Sequence, residues 1–176
     1  MKYNLNMETV EFKKLLFKTA FCVMACDGDI DDLELQDMVK IDKNTSYFND
    51  IDLSEELDIL VKRIKKEGKG LIKDLFKFLR ETKIDIVQEL LLIEITIRMI
   101  NADNRVDENE VKFLNLLRSK LDVDDQIISD RFGSVPYLNI STFDNLEIDQ
   151  EQKSFISNIE LPQIKDFEDL SINSKK

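Results

Sequence analysis

An acidic motif that occurs twice constrains this chain more than any other feature of its sequence. Asp27-Gly28-Asp29-Ile30-Asp31-Asp32-Leu33-Glu34 returns as Asp103-Asn104-Arg105-Val106-Asp107-Glu108-Asn109-Glu110. Each copy follows an apolar run at helical spacing and precedes another. The chain therefore has the form of two similar helix–loop–helix segments, the mark of an internal duplication. Carboxylates stand at the first, fifth and eighth positions of both copies.

Helical periodicity continues through most of the sequence. Val10, Phe12, Leu15, Leu16, Phe17, Ala20, Phe21, Val23 and Met24 give residues 7–26 a broad apolar face. A second helix is expected from Asp32 to about Lys43. A third follows Ser54 as N-cap to Glu67, ended by Gly68 and Gly70, and a fourth runs from Leu71 to about Thr82. The stretch Asp85–Ala102 is apolar nearly all round, which predicts a helix at the centre of a bundle. Its Glu94 and Arg98, four apart, are expected to pair along the one polar edge. A sixth helix is predicted over Glu108–Leu121 and a short seventh over Asp125–Phe132, stopped by Gly133. Beyond Pro136 the period fails, leaving a weak helix at 149–158 in an otherwise extended acidic tail, free to lie on the bundle or on a partner. Only four Gly and two Pro among 176 residues interrupt this pattern, so the expectation is an all-α fold. It has one helical domain of about seven helices over residues 1–134 and an irregular tail over 135–176.

Charge and composition narrow the function. A formal net charge of −11 argues against a nucleic-acid partner and suits a protein that meets cations or basic partner surfaces. The chain has no His, which removes Ser-His-Asp and Cys-His catalysis and the commonest transition-metal ligand. Its two Cys, Cys22 and Cys26, make no disulfide framework. They share a helical face, and with no nearby His, Lys or Arg expected to activate a thiolate they read as buried apolar residues rather than soft-metal or oxyanion ligands. The basic run Lys62–Lys69 reads as the solvated end of the third helix rather than a dock for an acidic partner or membrane. Val87–Ala102 is too short and too charged to span a bilayer, and Met1–Lys14 lacks the pattern of a signal peptide. The chain is therefore expected to be cytoplasmic, with no direct membrane insertion.

Much of each acidic loop is explained by joining two helices. Gly28 and Asn104 suit a left-handed helix end, while Asp31 with Glu34, and Asp107 with Glu110, have the spacing of a capping box. Ile30 with Leu35, and Val106 with Val111, have the spacing of hydrophobic staples. Asp27 and Asp103 are not explained this way: they fall at the last turn of a helix, where the macrodipole disfavours an anion by roughly 0.3–1 kcal/mol. A hard cation among the clustered carboxylates would relieve both strains; without one, the loops are acidic docking patches. An EF-hand is rejected, because Asp32 stands where its Gly is required and Met38 where its bidentate Glu should be.

An apolar helix followed by Cys26-Asp27-Gly28, then Ile30 and Glu34, then a second apolar helix resembles the TerB family, the tellurite-resistance protein B and the related domain of DjlA-type co-chaperones. The resemblance covers roughly residues 8–133, and Asn104 and Arg105 depart from the family pattern in the second copy. It implies a compact bundle of about seven helices in two pseudo-symmetric halves, here about 7–67 and 84–133. It also implies a bacterial stress-response role and divalent-metal binding by Asp27, Asp31, Glu34, Asp103, Asp107 and Glu110, the cation being Ca²⁺ or Mg²⁺. The expected function is thus non-enzymatic: two acidic loops that take a divalent cation or dock a protein partner. The rival expectation is an acidic adaptor in a membrane-associated or defence complex with no metal role. A paired-carboxylate glycosidase is disfavoured, since the acids occupy cap positions and no aromatic cleft is foreseen.

Overall fold

Among the described residues, apolar side chains at helical spacing gather into eight helices, beside one two-stranded ladder. The computed structural model describes residues 3–4, 9–30, 32–44, 47–138 and 145–162. In chain order these hold β1 (Tyr3–Asn4), α1 (Thr9–Ala25), α2 (Asp32–Asn44), α3 (Leu53–Glu67), α4 (Gly70–Glu81), β2 (Thr82–Lys83), α5 (Ile86–Ile100), α6 (Glu108–Arg118), α7 (Asp125–Phe132) and α8 (Asn145–Asn158). The fold is all-α. No helix among the described residues is long and apolar enough to cross a membrane.

The two halves meet along α1 and α5, which pack against each other over most of their length. Strand β1 leads to α1 and pairs in parallel with β2, which leads to α5, setting Tyr3 opposite Thr82 and Asn4 opposite Lys83. Both helices follow this ladder in the chain, and the loops at their far ends lie near enough for Asp27 to feel Asp103 and Asp107, so the two helices run the same way. The expected centre of the bundle shifts in consequence. α1, rather than α5, meets the most neighbours, since it packs on α3, α4, α5 and α6 at once and leaves only its first turn and the edge of Lys14 and Lys18 toward solvent. Its Leu16, Phe17, Ala20, Phe21 and Val23 are sealed from solvent, whereas α5 exposes Ile86 by 52% and Val87 by 66% on its first turn. Burying each large α1 side chain contributes about 1.5–3 kcal/mol.

Ring packing ties more distant elements to this centre. Phe17 meets Phe48 edge-on with centroids 5.6 Å apart, and Phe76 of α4 packs at 5.3 Å on Phe113 of α6. Helix α3 begins earlier than its Ser54 suggests. Asp52 is the N-cap, its carboxylate accepting the N–H groups of Ser54 and Glu55 at 2.9 and 3.1 Å. An anion accepting two orphan N–H groups at the positive end of a helix outcompetes a hydroxyl two positions on. Gly68, with φ +55°, ends α3 by donating its N–H to Ile64 O at 2.8 Å, and Gly70 already opens α4.

The largest departure from expectation is α8. It is longer than the foreseen 149–158 and belongs to the core: Phe155, Ile156 and Ile159 are at most 5% exposed. Phe155 lies 6.5 Å from Phe76, Lys69 Nζ donates to Ser157 O at 2.9 Å, and Arg80 reaches Asp149 at 3.7 Å. Three apolar residues are too sparse to announce a strong helix, yet they suffice to seat one where α4 and α6 already offer an apolar surface.

Candidate functional site: the paired acidic loops

Each loop begins where a long helix of its half stops. After Ala25, Gly28 turns the chain with φ +86° and donates to Ala25 O at 3.4 Å; after Ile100, Asn104 does the same with φ +60°, donating to Asn101 O at 3.3 Å. The expected left-handed turns are thus present in both copies. Asp27 and Asp103 sit just beyond the helix ends rather than within the last turn. Asp27 Oδ1 accepts the N–H of Asp29 at 2.9 Å, and Asp103 Oδ1 accepts that of Arg105 at 2.8 Å. These matching Asx turns give both carboxylates a local partner and largely remove the unfavourable helix-end placement expected of them.

Of the next helix starts, only the second is described in full. Asp107 caps α6, its Oδ1 accepting from Asn109 N at 2.7 Å, while Glu110 Oε2 accepts the Asp107 N–H at 3.3 Å: the expected capping box is present in the second copy. Asp31 and the side chain of Glu34 lie outside the described residues, as does that of Leu35 in the first staple. Ile30 is buried, whereas Val106 is 52% exposed. Arg105 lies 3.5 Å from Asp103 Oδ2 with most of its side chain in solvent, so the added positive charge weighs lightly on the loop.

The decisive property of the site is that the two loops share one electrostatic environment. Burial pushes Glu110 up to about 8, opposed by its hydrogen bond from Asp107 and reinforced by the charges of Asp27, Asp107 and Asp103. Burial likewise raises Asp27 to about 6, against the Asp29 hydrogen bond and with help from Asp107, Asp29 and Asp103. Asp27 has an exposed outer edge, but its carboxyl group is crowded by these neighbours. The parallel course of α1 and α5 therefore brings Asp27 together with Asp103, Asp107 and Glu110 of the other half. Among the described residues, no three Asp, Glu or Cys side chains are gathered closely enough to form a ready metal cage. What the arrangement does chemically is hold protons near neutrality that isolated carboxyls would have released.

Two neighbours of the site are not foreseen in the sequence. The backbone of Glu160, just past α8, crosses the first loop so closely that a Cβ at Gly28 would sit 3.2 Å from its carbonyl oxygen. The signal is the difference between copies: the second loop carries Asn104 where the first carries Gly28. Cys26 lies directly under the loops. Burial first, then Cys22, Asp27, Glu110 and Asp107, push its thiol well upward, and burial pushes Cys22 up to about 12. Lys18 and Arg63 do approach Cys22, contrary to the expectation that no cation is near, but desolvation outweighs them. Both cysteines are core residues, as expected.

Elsewhere Glu94 exceeds its foreseen pairing with Arg98 at 3.0 Å, also accepting from Arg131 at 2.9 Å and from the Tyr47 hydroxyl at 3.0 Å. These contacts join α5 to α7 and to the turn before α3, away from the acidic cluster. Comparison with protein-family models, with curated proteins and with solved structures gives no match for this chain.

Proposed function

We propose that this chain is a TerB-like, non-enzymatic stress-response module, of the tellurite or toxic-insult type, whose two acidic loops work as one face that takes a divalent cation. The family assignment rests on the repeated loop motif between apolar helices. The cation reading rests on one observation: Asp27 and Glu110, one from each half, are raised to about 6 and about 8, by burial first and then with help from the charges of Asp103 and Asp107. A Ca²⁺ or Mg²⁺ ion would relieve the same repulsion, with carboxylate oxygens as hard ligands. Because the cation competes with those protons, its affinity rises with pH from about 6 to 8.

Titration calorimetry with Ca²⁺ and with Mg²⁺, on the wild type and on Asp27→Ala/Asp103→Ala, tests this. Heat of binding and a raised melting temperature, both abolished in the double variant, are the expected result. Absence of both in the wild type removes the metal role and leaves the rival reading, an acidic adaptor. That reading draws on exposed Val106 beside Asp107, an apolar contact inside an acidic rim.

A further inference from the structure

A second charged feature lies away from the acidic loops and has the opposite sign. Helices α4 and α8 enclose a half-open cavity of about 520 Å³, a size that suits a small molecule. Lys73, Lys77 and Arg80 of α4 line it, and Lys153 of α8 faces them. The three α4 cations follow one another by four and three positions, so they share one face of the helix. Of the two acids in the lining, Asp74 is drawn off by Arg63 at 3.3 Å, leaving Glu81. Four cations from two segments distant in sequence thus converge in a chain whose formal net charge is −11.

Solvated lysines on an amphipathic helix are common, but three observations go beyond that pattern. The Arg80 contact with Asp149, at 3.7 Å between half-exposed side chains, is loose and leaves most of the guanidinium's donors for another acceptor. Lys120 is nearly buried and close enough to Arg80 that burial and then Arg80 lower its ammonium to about 8, against the opposing charge of Asp149. Gln152, also in the lining, has a buried side-chain oxygen with no hydrogen-bond partner, an acceptor that a hydroxyl on the organic part of a ligand would satisfy, the phosphoryl oxygens being acceptors themselves. Ile156 provides an apolar floor.

We propose that the groove between α4 and α8 binds a phosphorylated small molecule, with Lys73, Lys77, Arg80 and Lys153 as ligands to its phosphoryl oxygens. Bidentate Arg and point-charge Lys contacts are the usual means of holding such dianions. The groove would supply a local positive field where the rest of the surface repels anions.

Titration calorimetry of the full chain with pyrophosphate tests this, with phosphatidylcholine vesicles, plain or doped with phosphatidic acid, as the second arm. Saturable pyrophosphate binding, weakened about tenfold or more by Lys77→Glu and by Lys153→Glu, is the expected result for a soluble ligand. Vesicle binding that needs phosphatidic acid and is lost in the same two variants, without pyrophosphate binding, supports phosphoryl recognition with a lipid headgroup as source. Lys62→Glu, an equal charge change on the exposed face of α3, is the control and should leave affinity unchanged. Equal weakening by Lys62→Glu would reduce the effect to net charge, and no binding in either arm would remove the site. Lys77→Gln, which introduces no repulsion, and unchanged circular dichroism guard against misfolded variants.

Discussion

Asp27 of the first loop stands close enough to Glu110, on the opening turn of α6 in the other half, to help keep that side chain protonated near neutrality. The consequence for stability has a definite sign. Glu110 titrates at about 8 in the folded chain against an ordinary value of 4.5, so the folded state holds the extra proton between those limits. Its contribution is full below about 4.5 and is lost as pH rises through about 8. Urea unfolding across that range should show falling stability. Glu110→Gln, which keeps an acceptor for the Asp107 N–H, should flatten the fall and gain roughly 1–3 kcal/mol at pH 9.

Another buried acid, in the first turn of α5, is held by backbone donors. Glu89 is 3% exposed and accepts the backbone N–H groups of Asp122 and Val123, the first at 3.0 Å. Removing it leaves the buried N–H of Val123 and the half-buried one of Asp122 without this partner. Glu89→Ala should therefore cost roughly 2–4 kcal/mol in chemical denaturation, more than Glu108→Ala at an exposed site.

If α8 belongs to the core, truncating its central ring must be felt globally. Phe155→Ala should lower stability by about 3 kcal/mol and expose the chain around Lys153 to trypsin in native buffer. Leu146→Ala, at a side chain 70% exposed on the same helix, should change little.

The thiols supply a check on the interior. Cys22 and Cys26 are fully buried with protons held far above neutral pH, so a maleimide should label neither in the native protein and both in denaturant. Rapid native labelling would place them outside the core.

How far the fold was legible depends on whether a feature is local. The helices are written in the spacing of residues such as Leu57, Leu60 and Ile64, and the turn at Gly28 and the box of Asp107 with Glu110 are short-range chemistry. These are readable because every partner lies within a few positions. The meeting of Asp27 with Glu110 is not, since it depends on α1 and α5 lying parallel beyond a two-residue strand pairing that no periodicity announces. Glu89 was hidden for the same reason: its partners are two N–H groups more than thirty positions away. Asp27 and Asp103 misled in a different manner, because small differences in where a helix stops decide whether a carboxylate opposes the dipole or closes an Asx turn.

The close passage of Glu160 over Gly28 also means that the two similar loops are not equivalent. One copy of the motif is roofed by the chain's own later segment, while the copy at Asn104 has the ordinary side chain that the roofed one has no room for. The two loops thus keep one acidic face open through Asp27 and Asp29 on one side and Asn104 and Arg105 on the other, while the turn at Gly28 alone is committed to the chain's own later segment.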